Sequence, residues 1–424
     1  MIKNSFRNLA KDKVGLRYTA ASMFSSIVSM FVGVIIIRWI NPSELGLWQS
    51  ISILQVYVPF LEGGVVNGLN RELPFLVGRK KKKLSSLYNR TGQYYMVLIA
   101  LIFLIITCVV TGTLLFLNYE MKIIAGIFTV GCLVTLNCYQ RYLVVTFRST
   151  DSFQVLSKLY IYQALAQLLL LPIVVSFEYY GLLLYTLLVL FWFTLIMHLN
   201  RPFRESPIFI KPFFFHLVKV GLPVFISGYL RGVSNSFTRI VLLLMSGTMA
   251  VGLFTPVNAV LALISVVPGI LGNYYFPKMN YTLGSTNDAY QLWPIISRIN
   301  AIIVVFAVPF IILVWIVAPP LLMQFFPNYL SAEYAIKITS LNFLFAGTLI
   351  THNAIYSIKN YTWGYFFVGS ELLLRFTCPY LMIRMFDGNV LTLTAIGILI
   401  SNILLFVVNL FLLLNSLQRK VSLA

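Results

Sequence analysis

The sequence predicts an all-α polytopic membrane protein: twelve transmembrane helices in two repeat-related six-helix lobes around a central cavity. Three observations carry that expectation. The chain has 424 residues, of which 59% are apolar and only 10% charged, whereas a soluble domain has about 45–50% apolar and about a quarter charged residues. Apolar stretches of roughly 20 residues, long enough to cross a ~30 Å hydrocarbon layer, recur from end to end. Short motifs also repeat at a fixed offset of 206 residues. A soluble enzyme and a soluble nucleic-acid-binding protein are excluded by the first observation, despite a formal charge of +19.

The spans fall at 18–38, 47–69, 92–117, 123–145, 155–176, 180–199, 217–245, 253–275, 295–317, 334–356, 363–385 and 391–415. The runs are continuous rather than alternating with period two, so they read as helices and not as barrel strands. The connections between them are too short to fold into a separate soluble domain. The division expected along the chain is an amino-terminal lobe over 1–200, a cytoplasmic linker over 201–216 and a carboxyl-terminal lobe over 217–424.

Orientation follows from the basic residues, because cytoplasmic loops of membrane proteins carry an excess of Lys and Arg. One side receives Lys3, Arg7, Lys11, Lys13 and Arg17, then Arg71, Arg79, the run Lys80–Lys83 and Arg90. It also receives Arg141, Arg148, Lys158, Arg201, Arg204, Lys211, Lys219, Lys278, Arg298, Lys359, Arg419 and Lys420, making 24 of 31. The opposite side has Arg38, Lys122, Lys337 and Arg384. Both termini are therefore expected in the cytoplasm. The first span is too long for a signal-peptide core and ends in the interfacial pair Arg38-Trp39. The lysine run sets topology and does not bind nucleic acid. Cys108, Cys132, Cys138 and Cys378 form no ligand cluster, and His198, His216 and His352 are scattered singly, so no metal and no cofactor are expected.

Lys13-Val14-Gly15-Leu16 before the first span matches Lys219-Val220-Gly221-Leu222 at the seventh, and Gly46-Leu47-Trp48 matches Gly252-Leu253-Phe254. Both pairs are 206 residues apart. Six spans per copy give the two halves the same orientation, related by an axis along the membrane normal.

Three arginines lie inside spans, where an unpartnered charge costs about 2.5–3.5 kcal/mol even on a lenient scale. Arg231 and Arg375 lie near the middle of the seventh and eleventh spans, and Arg239 near the outer end of the seventh. Ser227, Arg231, Ser234, Asn235 and Thr238 share one helix face by their spacing of three and four. The first span carries Ser22, Ser25, Ser26 and Ser29, with Ser25 matching Arg231 and Ser29 matching Asn235. Two polar faces could line a cavity or could pack helices together. Glu371 lies one turn before Arg375 and could pair with it. Glu62, roughly 22 Å into the second span, either couples ion movement to conformational change or partners a nearby arginine. Guanidinium groups bind phosphate oxygens in bidentate fashion, so Arg231, Arg375, Arg239 and Asn235 are the candidate contacts for an anionic headgroup, and Glu62 and Glu371 the candidate coupling or ion-pair residues.

The segment Arg38-Trp39-Ile40-Asn41-Pro42-Ser43-Glu44-Leu45-Gly46-Leu47-Trp48 resembles the turn between the first two helices of polysaccharide (O-antigen) flippases, a branch of the multidrug/oligosaccharidyl-lipid/polysaccharide exporter superfamily. Glu62 to Glu72, Gly221-Leu222-Pro223, Arg239 and Val251-Gly252-Leu253-Phe254 are similar to that family as well. The resemblance covers the whole chain in topology and about 60 residues in motif; none of the motifs is catalytic. It implies a V-shaped pair of lobes that moves an undecaprenyl-diphosphate-linked oligosaccharide, an O-antigen or exopolysaccharide repeat unit, from the inner to the outer leaflet of a bacterial cytoplasmic membrane by alternating access. The implied partners are that polyprenyl-diphosphate-linked glycan, membrane lipids and a polysaccharide polymerase complex. The rivals are a cation-coupled drug antiporter of the same superfamily, an uncoupled lipid scramblase and a membrane-embedded polysaccharide-modifying enzyme. Arg outnumbers Glu three to two within the spans, which favours an anionic substrate, and no nucleophile–base pair supports an enzyme.

Overall fold

The computed structural model describes residues 13–286, 288–358 and 360–417. Lys3, Arg7, Lys11, Lys359, Arg419 and Lys420 lie outside the described residues. The described residues are mostly helical, with no strand among them. In order the chain forms α1 (Lys13–Trp39), α2 (Pro42–Ser52), α3 (Leu54–Tyr57), α4 (Val65–Gly78), α5 (Lys82–Phe116), α6 (Met121–Ser149), α7 (Phe153–Leu170) and α8 (Pro172–Leu199). It continues with α9 (Lys211–Leu253), α10 (Thr255–Thr286), α11 (Trp293–Phe325), α12 (Glu333–Ser340), α13 (Thr348–Ser357), α14 (Tyr361–Met385) and α15 (Val390–Leu417). Short 3-10 turns at Val58–Glu62, Ala289–Leu292, Pro327–Ala332 and Leu341–Phe345 join some of them.

Among the described residues nine helices are long and apolar enough to cross a membrane. The second, fifth and eighth expected spans are those without such a helix among the described residues, and the second and fifth have a local reason. The second is cut into α2, α3, a 3-10 turn and α4; Gly63 and Gly64, both at positive φ (57° and 79°), a conformation that glycine reaches without a Cβ clash, separate the turn from α4. The fifth is α7, only 18 residues long and carrying Lys158, Gln163 and Gln167, continued by the first turn and a half of α8. A true break follows at Glu178 (φ 48°, ψ −120°), which separates the fifth span from the sixth within α8. The eighth lies in α10, where the apolar stretch among the described residues is Thr255–Gly269. The tenth span also departs from a single helix: it is assembled from α12, the turn at Leu341–Phe345 and α13.

Lipid-facing surface is evident in the burial. In Ala289–Phe325, mean hydropathy reaches 3.1 while only 17% of the apolar window is buried inside the protein. Water would not tolerate that surface; hydrocarbon does. The helices also run well past the ~20 residues a bilayer needs, which corrects the loop assignment of several cations. Arg141 and Arg148 belong to α6 and Lys158 to α7.

The chain divides into two compact units. One comprises Met1–Ile40 and Ile51–Tyr229, the other Asn41–Ser50 and Leu230–Ala424. The division thus falls inside α9 and differs from the boundary at 201–216. Residues 217–229 join the first unit because their backbone seats directly on α4: a Cβ on Gly64 would lie 2.8 Å from the Gly221 carbonyl carbon, and one on Gly221 would lie 2.5 Å from Gly68 N. The segment before α9 is extended and tied to α5, with Arg90 Nε donating to Ser206 O at 2.8 Å. The core of this unit includes Leu69, Leu73, Met96, Leu143, Phe147, Leu156, Phe193 and Met197, all fully buried.

In the second unit Ile299, Ile303 and Ala307 of α11, Phe343, Ala354 of α13, and Leu412 and Leu413 of α15 form the core. Here α2 meets the end of α9. Asn41 Oδ1 accepts from Ser43 N at 3.2 Å and starts α2. Gly247 (φ 76°, ψ −175°) breaks α9 at the corresponding place in the other repeat. A Cβ on Gly46 would lie 2.8 Å from the Thr248 carbonyl carbon and overlap its oxygen; one on Gly252 would do the same to Pro42. Gln49 Nε2 donates to Thr255 Oγ1 at 2.7 Å. At the 206 offset Pro42 corresponds to Thr248, Gly46 to Gly252 and Gln49 to Thr255. Each contact therefore recurs with the copies exchanged, and Gln49 meets its own counterpart. That pattern defines a local two-fold axis between the two helix starts, as parallel repeats produce.

Candidate anion-binding site

Two helices of the second unit supply the site. On α9, Arg231 and Asn235 lie one turn apart; on α14, Glu371 and Arg375 do the same. Glu371 Oε1 lies 2.9 Å from Arg375 Nη2, and its Oε2 lies 3.3 Å from Arg231 Nε. Arg375 Nη1 donates to Asn235 Oδ1 at 2.6 Å. Phe237 packs edge-on against Phe376 with centroids 5.6 Å apart, a further contact between the same two helices. Glu371 is enclosed, with a side-chain exposure of 6%, while the side chains of Arg231 and Arg375 are 27% and 33% exposed. Two cations and one anion leave a surplus of one positive charge. Glu371 Oε2 and Arg375 Nε make no hydrogen bond.

The structure thus brings together Arg231, Asn235, Glu371 and Arg375, four of the six residues singled out from sequence. Arg239 stands apart, two turns further along α9, and has no acidic partner among the described residues. Ser234 donates to the Arg231 carbonyl at 2.9 Å and is fully buried, so it serves the helix and not a ligand.

The first unit contains the same arrangement without charge. Ser25 Oγ donates to Gln163 Oε1 at 3.5 Å and Ser29 Oγ to Gln167 Oε1 at 3.0 Å, joining α1 to α7. Ser25 and Ser29 match Arg231 and Asn235 at the 206 offset. Gln163 and Gln167 match Glu371 and Arg375 at an offset of 208. The polar face of α1 is thereby a packing device at these two serines: Ser25 is buried, and its partner is a helix neighbour. Sequence reasoning missed the two glutamines. Their spacing of four, aligned with Glu371 and Arg375, was the available signal.

Glu62 is also paired. It is 4% exposed, and its Oε1 lies 3.2 Å from Arg141 Nη1 on α6. Of the two roles open to Glu62, the arrangement supplies the arginine partner, and from a residue the sequence had assigned to a loop. Tyr95 Oη donates to Leu61 O at 2.8 Å and pins the adjoining 3-10 turn. His198 accepts or donates to Tyr139 Oη at 2.7 Å, and His352 is buried against Phe367 with ring centroids 4.5 Å apart. Among the described residues no group of three His, Cys, Asp or Glu could hold a metal ion.

No family model matches the chain. No curated protein matches it either. Solved structures do. An inward-facing multidrug-resistance MATE family transporter of the MOP superfamily superposes with a TM-score of 0.71 at 12% identity, over 95% of this chain and 98% of that one. An outward-facing MATE transporter gives 0.62 at 14% identity, over 95% of each chain. A MOP superfamily transporter from Pyrococcus furiosus, described as having a binding pocket of reversed polarity that suggests a different function, gives 0.61 at 12% identity over 96% of each chain. At such identities the likeness establishes architecture: this chain has the fold of the MOP superfamily transporters.

Proposed function

We propose that the protein is a flippase that moves an undecaprenyl-diphosphate-linked oligosaccharide from the inner to the outer leaflet of the cytoplasmic membrane by alternating access, with Arg231 and Arg375 holding the diphosphate. One observation carries the reading. The same helix pair occurs twice in the chain, once joined by Ser–Gln hydrogen bonds and once by an arginine–glutamate–arginine cluster. The neutral version already satisfies the packing, so the scaffold does not require the charges. Charges inside a membrane are costly and mark substrate pathways. A surplus guanidinium suits phosphoryl oxygens. Arg239 is proposed as a further contact toward the exit. The 24 basic residues on one side support cytoplasmic termini, and a polysaccharide polymerase is the proposed neighbour in the membrane.

The test converts one half into the other. A variant carrying Arg231→Ser, Asn235→Ser, Glu371→Gln and Arg375→Gln gives the carboxyl half the residues of the amino half. It is expected to express and insert normally, yet to leave its host without the surface polysaccharide. Wild-type polysaccharide in that variant overturns the reading.

The multidrug transporters of this fold favour a second reading, a cation-coupled drug antiporter. That activity would call for a free acid in the membrane, whereas Glu62 and Glu371 are each matched by arginine. The reversed pocket polarity described for the Pyrococcus furiosus relative supports variation of substrate charge on one scaffold.

A further inference from the structure

We propose that Glu371 is an exchangeable internal counter-ion: an incoming phosphoryl anion binds by displacing the Glu371 carboxylate from Arg231 and Arg375, and the returning carboxylate expels it. The inference rests on the anionic-substrate reading above and specifies how that site releases its ligand.

Four features carry it. The carboxylate is shared by two guanidiniums but fully engages one of them. Oε1 sits 2.9 Å from Arg375 Nη2, whereas Oε2, at 3.3 Å from Arg231 Nε, lacks the alignment of a hydrogen bond. Arg375 Nε is buried and also without a hydrogen-bond acceptor. The cluster therefore holds donors that a second set of oxygens could use, as a phosphoryl group provides. Exposure has the right order: the side chains of Arg231 and Arg375 are 27% and 33% exposed, and that of Glu371 only 6%. Finally, Gln163 holds the corresponding place in the amino half. Glutamine is competent for the packing there, so what glutamate adds is its charge.

Release requires such a competitor. Two guanidiniums facing an anion in a low-dielectric setting would bind it tightly and let it go slowly. A tethered carboxylate is a ligand at fixed effective concentration, which lowers affinity without any loss of donors.

Titration of the purified full-length protein in lipid nanodiscs with inorganic pyrophosphate tests the idea, alongside surface polysaccharide measured in cells. Glu371→Gln is expected to bind pyrophosphate about tenfold tighter or more, the low end for close charge pairs, and yet to export at least several-fold less polysaccharide. Glu371→Asp, which keeps the charge, is expected to restore affinity toward wild type. A second comparison does not depend on the stability of two adjacent unpaired arginines. The double variant Glu371→Gln/Arg375→Gln is expected to bind more tightly than Arg375→Gln alone, because only the latter keeps a carboxylate on Arg231. Equal affinity in both comparisons, with binding present, overturns the counter-ion and leaves the anion site standing. No pyrophosphate binding by the wild type or any folded variant overturns the anionic reading and the counter-ion together.

Discussion

Removing Arg141 should cost more than removing the carboxylate it pairs with. At 3.2 Å, Coulomb's law gives about 5 kcal/mol of attraction at an effective dielectric of ~20. Arg141 is half-exposed (49% of its side chain) and Glu62 almost entirely enclosed (5%), so hydration of the arginine and loss of its rotamers offset much of that figure. A net coupling of about 1–2 kcal/mol remains. Arg141→Gln strands a buried carboxylate and is expected to destabilise the protein by about 2 kcal/mol. Glu62→Gln leaves an arginine that can turn to solvent or headgroups and should cost under about 1 kcal/mol. The double variant should then resemble Glu62→Gln alone. Reversible unfolding in mixed detergent micelles, run as a double-mutant cycle, measures all three. Equal single effects that simply add would refute the reasoning, because they would mean that burial of Glu62 carries no dependence on its cation.

Two further perturbations follow from backbone geometry. Gly252→Ala places a methyl group over the Pro42 carbonyl and 2.8 Å from Gly46 N; backbone cannot rotate away, so the loss should be about 1–3 kcal/mol or more. Gly33→Ala, with nothing within 4 Å of the new Cβ, is the control and should be neutral or mildly stabilising in a thermal melt. Glu178→Gly should raise stability by about 1 kcal/mol, because φ 48° with ψ −120° strains any residue bearing a Cβ; a fall in melting temperature would show that the break is not held there.

The membrane spans were legible because long continuous apolar runs have few other solutions, and the repeat because Lys-Val-Gly-Leu and Gly-Leu-aromatic recur at one offset. The arginine cluster was legible for the same reason that it is costly: charge in an apolar run stands out. What stayed hidden was neutral or displaced. Gln163 and Gln167 give no charge signal, and a two-residue slip in the repeat, from 206 to 208, separates them from the register set by Gly46 and Gly252. Arg141 counts with the cytoplasmic cations by its charge although it lies within the expected span 123–145, and α6 runs on past it to Ser149. The serines of α1 could line a cavity or pack a helix on sequence grounds alone, and only the positions of Gln163 and Gln167 distinguish the two for Ser25 and Ser29. The broken tenth span had a single glycine, Gly347, to announce it.

The hydrogen bond between Gln49 and Thr255 restricts how the two halves can diverge. Most positions in a duplicated chain are independent once the copies are joined, since each has its own neighbours. These two are each other's neighbour. Were both to become the same charged residue, they would repel across a few ångströms; were one to become apolar, it would leave the other's donor or acceptor without its partner. Substitutions here are tolerable only as complementary couples, so this joint drifts as one unit while the surrounding helices drift as two.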